Sequence, residues 1–293
     1  MKVFVTGGTG LIGSAVVAEL LRAGHTVTAL TRSETSVAKA EAAGATALRG
    51  GLTDLDVLRA GAGEAEGVVH LAFGNDFSSP EALARAVAEE SEALTVLGEA
   101  LIGSDRPLVT VSGTPFVPGR AATEEDPVPT DGPVGGRGRS VERALALAAQ
   151  GVRSSSVRLP RTVHHDGQGG FTGILTEAAR RSGVAGYPGD GAQRWPAVHA
   201  LDAAVLFRLA LEKAPAGTAW HAVADEGVAV RDMAEVIGER LGLPVEAVPA
   251  ESFGTLGEMF VTDQPASSTH TRAGLGWEPR QPGLLEDLRH LTS

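Results

Sequence analysis

At 293 residues with 43% hydrophobic content, the chain is long enough for one large domain or a domain and a half, with ample material for a core. A formal charge of −11 offers no basic patch for a phosphate backbone and argues against a nucleic-acid partner. With no cysteine there are no disulfides, thiolate nucleophiles or thiolate metal sites. No run approaches the roughly 20 apolar residues that span a bilayer, and the Met1-Lys2 start enters a strand without a signal-peptide layout, so the expectation is a cytoplasmic protein with no membrane partner.

The first apolar run, 3–5, meets a turn whose glycines Gly7, Gly10 and Gly13 are spaced three apart and open an amphipathic helix over 11–22. That pattern predicts a dinucleotide cradle: Gly7 turns the chain sharply, Gly10 lets backbone approach a pyrophosphate, and Gly13 lets the helix pack on the strand. Gly7, Thr9, Gly10, Leu11, Ile12 and Gly13 are the candidate phosphate-binding residues, because N–H groups freed at a helix start attract anions. Gly24 and His25 then stop the helix before a second apolar run, 26–30.

This second run ends on Thr31, Arg32 and Ser33, with no carboxylate where one would bond a ribose 2′-hydroxyl. Arg32 and Ser33 offer a guanidinium and a hydroxyl suited to a 2′-phosphate, which predicts NADP(H); the bland reading of Arg32 is a solvated surface charge. After a third run at 45–48, Asp54 and Leu55 follow, with Asp54 placed either to cap the next helix or to accept from an adenine amino group. Further strands are expected at 67–71, 108–111 and 155–159, and helices at 36–43, 55–60, 80–102 and 139–149. Such alternation predicts an α/β fold, a doubly wound parallel sheet. The Pro-, Gly- and acid-rich stretch 115–138 reads as an exposed loop and candidate lid.

Beyond 159 the regularity lapses, with helices expected at 171–181, 201–211, 231–241 and 284–291 and short strands near 219–223 and 245–248. The expected division is a cofactor-binding domain over 1–160, to which 198–225 returns, and a smaller substrate-binding portion over 161–293.

The residues resemble a known family, the extended or atypical short-chain dehydrogenase/reductases, close to the NAD-dependent epimerase/dehydratase group. The resemblance rests on TGGTGLIG at 6–13, Asp54 with Leu55, VVHLAF at 68–73, VTVSGT at 109–114, SVRLP at 156–160 and WPAVHALDAA at 195–204. It implies a nicotinamide cofactor beside which Leu71, Ala72 and Phe73 line the adenosine side, Ser112 sits near the nicotinamide, and Pro160 and Val163 border its amide. It also implies structural roles for His199 and Asp202, with Asp202 capping the following helix, and a homodimer through the helices 80–102 and 139–149.

The family's acid/base pair is a tyrosine with a lysine four positions on, the lysine lowering the phenol pKa. Val134 and Gly138 stand at those positions. Tyr187 is the only tyrosine, and no lysine lies between Lys39 and Lys213, so no change of register restores the pair. The remaining candidates are Ser112 and Thr114, which can polarise a substrate oxygen, and His164 and His165, since imidazole supplies a proton near neutrality. Arg139 and Arg137 could hold an anion or polarise a carbonyl, though helix-start arginines are often merely solvated. Phe73, Tyr187, Arg194 and Trp195 are candidate substrate contacts, against a turn held by Trp195 packing. Trp220 and His221 read as core, and Phe253, Met259, Phe260 and Trp277 as core or pocket wall. No metal is indicated, because the histidines and carboxylates lack ligand spacing.

The leading functional expectation is an NADP(H)-dependent oxidoreductase acting on a small carbonyl, alcohol or imine. The alternatives are a nucleotide-sugar epimerase or dehydratase, disfavoured by the missing base, and a non-catalytic NADP(H)-binding sensor.

Overall fold

Residues Val3, Phe4 and Val5 are all buried, so the first strand is covered on both faces, which requires helices above and below it. The computed structural model describes residues 1–74, 79–132 and 135–291. In chain order it begins β1 (Lys2–Thr6), α1 (Leu11–Arg22), β2 (Thr26–Thr31), α2 (Glu34–Ala42), β3 (Thr46–Arg49), α3 (Leu55–Glu64), β4 (Gly67–His70), α4 (Pro80–Glu99), β5 (Pro107–Gly113), α5 (Gly135–Ala146) and β6 (Arg153–Leu159). These six strands, joined by a seventh from further on, form a parallel sheet.

The second half contributes β7 (Thr162–His164), α6 (Gly170–Ser182), β8 (Ala185–Pro188), β9 (Arg194–His199), α7 (Ala200–Lys213), β10 (Thr218–His221), β11 (Asp225–Ala229), α8 (Val230–Leu241), β12 (Val245–Val248), α9 (Gly257–Phe260), α10 (Thr269–Leu275) and α11 (Leu284–Leu288). β10 completes the large sheet beside β6, in the order β10-β6-β5-β4-β1-β2-β3, and α7 packs along α1 on one face. The strand order reverses between β1 and β4, which opens a crevice at their carboxyl ends, the usual ligand position in such sheets. Strand periodicity divides the core: Val3 and Val5 pack with Val16, Leu20, Phe207 and Trp277, while Phe4 packs with Leu58 and Leu97 on the other face.

Beside this sheet, β7 and β11 flank β9, and β8 pairs with β12. These pieces enclose a separate apolar core of Leu175, Tyr187, Trp195, Met233, Ile237 and Phe260. The strands β7, β8, β9 and β11 were not expected, because runs of three to six residues carry too little alternation to be recognised. Trp277 belongs to the large-sheet core, and Met259 is exposed. No helix among the described residues is long and apolar enough to cross a membrane.

Two boundaries differ for local reasons. α2 starts at Glu34 because Ser33 caps it, accepting from the Ser36 N–H while the Ser36 hydroxyl accepts from the Ser33 N–H. α5 starts within the glycine run at Gly135, where Cβ atoms at 135 or 138 would collide with the carbonyls of Thr130 and Pro129, so close packing overrides low helix propensity.

The stretch expected as a lid is held down over much of its length. Arg158 donates from Nη1 to the carbonyls of Glu124 (3.2 Å) and Asp126 (2.7 Å), the Glu124 carboxylate accepts from Thr271, and Ala122 bonds the backbone on either side of Ala266. Ala122, Glu124 and Val128 are buried. The reason is that a buried guanidinium needs acceptors, and this loop supplies them.

Candidate cofactor and reaction site

The glycine turn after β1 has geometry that side chains would destroy. Gly7 has φ +72°, and a Cβ there would lie 2.8 Å from the Ala72 nitrogen; a Cβ on Gly13 would lie 2.0 Å from the Gly7 carbonyl oxygen. Gly10 is the N-cap of α1 with no side-chain cap, and the first turn carries no acid, so the positive end of the helix is uncompensated. Thr6 Oγ1 accepts from the N–H groups of Leu71 (3.2 Å) and Ala72 (3.3 Å) and meets His70 Nδ1 at 2.8 Å, fastening the end of β4 beside the glycine turn. Thr9 and Ile12 are half-buried, and the exposed Leu11 reaches toward Gly169, where a Cβ would lie 2.8 Å from its Cδ2. This cradle fits an anionic dinucleotide.

Arg32 projects into solvent beyond the end of β2 and forms no ion pair among the described residues. The Ser33 hydroxyl is engaged in capping α2, which corrects the expectation that it is free for a phosphate. Asp54 holds the N-cap position of α3, yet its carboxylate accepts from the Gly51 N–H (2.7 Å) and tightens the preceding loop instead of bonding the helix; Leu55 follows half-buried.

At the carboxyl end of β5, the Ser112 hydroxyl lies 2.9 Å from that of Ser156 on β6. Thr114 is buried, its N–H donating to the Leu159 carbonyl and its own carbonyl accepting from Gln264. Pro160 and Val163 are buried where β6 passes to β7, Val163 within the large core. Arg139 is exposed and donates to the Thr130 carbonyl, so it is a brace on its own loop and not a reaction-centre cation. Its neighbour Arg137 turns inward, bonding Glu90 at 2.7 and 2.8 Å and lying 3.9 Å from the Phe73 ring centroid. Val134 lies outside the described residues. Gly138 is described, and a lysine there would require a Cβ 2.0 Å from the Pro129 carbonyl oxygen.

The two candidate histidines have different surroundings. His164 is 1% exposed, its Nδ1 2.7 Å from Asp287 on α11 and its Nε2 without a partner among the described residues. Burial works to raise the Asp287 carboxyl, but bonds from His164 and the Gly167 N–H hold it below the usual carboxylate range. His164 is therefore a buried anchor, which corrects its reading as an accessible proton donor. His165 is half-buried, 3.1 Å from Asp166, with its ring 4.9 Å from that of His199. Burial, then the neighbouring His164, lowers the His199 pKa. His199 caps α7, accepting from the Leu201 N–H, whereas Asp202 accepts from the N–H groups of Arg280 and Gln281; the expected cap is thus reassigned. Asp166, Asp287 and His290 bring one ligand atom each within 4.8 Å of one another, although Asp287 is already committed to His164.

The expected substrate cluster does not assemble. Trp195 is 0% exposed and packs edge-on to Phe171 and Phe260; Tyr187 is buried in the same core with Arg231 over its ring; Arg194 is exposed and paired with Asp263. Alternation along β9 explains this, sending Trp195 inward and Arg194 outward. Phe73 is the member that stays beside the crevice.

Sequence reading missed several polar groups: Arg161, Gln264, Asp287, and the row formed by Ser112, Arg158 and His221 across β5, β6 and β10. The one signal was the pair of arginines flanking Leu159 and Pro160 at the end of an apolar strand.

The model of the NAD dependent epimerase/dehydratase family matches residues 3–222. An uncharacterized protein of Schizosaccharomyces pombe is 44% identical over 98% of each chain. Among solved structures, UDP-glucose 4-epimerase of Thermotoga maritima with UDP-glucose superposes with a TM-score of 0.81 at 22% identity, covering 99% of this chain and 97% of that one. UDP-glucose-4-epimerase of Stenotrophomonas maltophila with bound NAD gives 0.80 at 20%, covering 99% and 96%. At these identities the structures speak for the fold.

Proposed function

The chain belongs to the NAD dependent epimerase/dehydratase family, and on that premise we propose that it is an NADP(H)-dependent oxidoreductase acting on a small carbonyl, alcohol or imine. The observation that carries the reading is the cradle in which neither Gly7 nor Gly13 has room for a Cβ and α1 presents an uncapped N-terminus. Gly7, Thr9, Gly10, Leu11, Ile12 and Gly13 would hold the pyrophosphate, Asp54 and Leu55 with Leu71, Ala72 and Phe73 the adenosine side, and Pro160 and Val163 the nicotinamide side. Arg32, just beyond the end of β2 and without an ion pair among the described residues, supports a 2′-phosphate and hence NADP(H). A bound nicotinamide supplies hydride exchange with carbon. Ser112 orients the substrate oxygen and His165 exchanges its proton with that oxygen, the two doing the work that the absent tyrosine does elsewhere in the family.

A second reading, a nucleotide-sugar epimerase or dehydratase, is favoured by the comparisons themselves, since two of the solved relatives are UDP-glucose 4-epimerases. The absence of a Tyr-Lys pair favours the first. Placement in the cytoplasm, a substrate-binding role for residues 161–293 and a homodimer through α4 and α5 belong to the same proposal.

Titration with NADPH and NADH by fluorescence, followed by a carbonyl and imine panel and by UDP-glucose, tests it. NADPH loss on a panel member supports the oxidoreductase, UDP-galactose formation supports the second reading, and tight binding without either supports a sensor. Arg32→Asp is expected to weaken NADPH at least tenfold relative to NADH. His165→Asn and Ser112→Ala are each expected to lower turnover at least tenfold, and no change in both removes the catalytic assignment.

A further inference from the structure

Burial works against the charge of two arginines where β6 passes to β7, and they are treated differently. Arg158 has Glu124 and Asp126 near it, which oppose the effect of burial. Arg161, three residues on, has no acid beside it among the described residues: its Nε donates to Gln264 Oε1 (2.5 Å) and its Nη1 to the Met259 carbonyl, both neutral acceptors. Burial pushes its pKa down to about 10. The guanidinium carbon lies 5.3 Å from the Phe171 ring centroid and 5.6 Å from that of Trp195, so an aromatic wall covers part of it. Nη2 has no partner among the described residues.

The position is as informative as the charge. Arg161 directly follows Pro160. Gln264, which receives its Nε bond, donates in turn to the Thr114 carbonyl (2.8 Å), and the Thr114 N–H donates to the Leu159 carbonyl (2.9 Å). A half-buried, unneutralised guanidinium is thus tied through one side chain to the segment that carries Ser112.

We propose that Arg161 is the receptor for an oxyanion, a carboxylate or phosphate carried by the substrate. The inference rests on the proposed reaction site at Ser112 and extends it to the chemical class of the substrate. Nη2, which has no partner among the described residues, can donate to an oxygen of a carboxylate or phosphate, and a charge that no described acid neutralises is compensated when such a group docks. The aromatic wall and Gln264 hold the fork in place before the ligand arrives.

The test is calorimetric titration of the NADP-loaded protein with inorganic phosphate and with malonate at constant ionic strength, on the parent, Arg161→Met and Arg161→Gln. Saturable binding of at least one anion, weakened at least tenfold in both variants, is expected, and which anion binds identifies the group. Arg161→Met leaves Gln264 Oε1 and the Met259 carbonyl without their donor, so thermal unfolding of each variant is followed alongside and anion binding is read well below its Tm. Equal anion binding by parent and variants overturns the proposal, as does absence of saturable binding by the parent. NADPH affinity is read separately on the same samples: its absence in the parent removes the functional reading, while the difference between parent and variants still judges Arg161.

Discussion

Asp287 on α11 lies 2.7 Å from Nδ1 of His164 on β7, a buried contact between residues 123 positions apart. With the Gly167 N–H on the same oxygen, it ties α11 to the strand that follows the large sheet's β6. Removing one partner of such a pair strands the other in a low-dielectric site. Asp287→Ala is therefore expected to lower the unfolding free energy by about 3 kcal/mol, measured by urea denaturation. Adding His164→Ala to it is expected to lower stability by clearly less than His164→Ala does alone, because the two changes remove one interaction. Full additivity would deny the coupling.

The three glycines of the cradle differ in what they protect. A Cβ on Gly13 meets the backbone oxygen of Gly7 at 2.0 Å, whereas the nearest atom to a Cβ on Gly10 is that same oxygen at 3.6 Å. Gly13→Ala is expected to destabilise the fold and abolish NADPH binding together, and Gly10→Ala to leave the Tm within a few degrees while weakening NADPH at least tenfold. Thermal unfolding alongside the fluorescence titration separates the two outcomes.

Two buried imidazoles are expected to weaken the fold as pH falls. His70 and His221 are each pushed down to about 4, mainly by burial, with Arg137 adding to the effect at His70. Unfolded, both would bind protons near 6.5, so between 6.5 and 4 the unfolded chain holds more protons and stability falls as pH falls. Stability is complete above about pH 6.5, and each histidine withdraws up to about 3 kcal/mol by pH 4. Urea midpoints across pH 4–8 should show this slope, and His221→Gln should reduce it by about half, His70 keeping the rest; a slope that His221→Gln leaves intact would reassign the effect.

Trp195 lies at the centre of the smaller core, against Phe171 and Phe260. Trp195→Ala is expected to cost about 3–5 kcal/mol of stability. Trp195→Phe, which retains most of the packing, is expected to leave KM within twofold. A KM change without loss of stability would restore Trp195 to the substrate site.

The parallel sheet and the cradle were legible because their signals are local: alternation of apolar runs with helices, and glycines three apart within seven residues. The absence of the acid/base pair was equally legible, as it follows from an inventory of one tyrosine and three lysines. The lid reading failed because composition describes a loop's exposure on average, whereas Arg158 demanded the carbonyls of Glu124 and Asp126 in particular.

By itself the sequence determined that a glycine turn of dinucleotide-cradle pattern follows the first strand and that a Tyr-Lys pair is missing, since both depend on neighbouring residues or on counting. The tertiary structure decided which polar groups stand together. Gln264 reaches Thr114 across 150 positions and Arg161 across 103. Burial, which short strands do not announce, took Trp195 and His164 out of the crevice and left Arg161 half-buried with no acid beside it among the described residues. Such groupings arise only when distant segments pack, because the cost of leaving a buried polar group unpaired is a property of the packed neighbourhood and not of the chain around it.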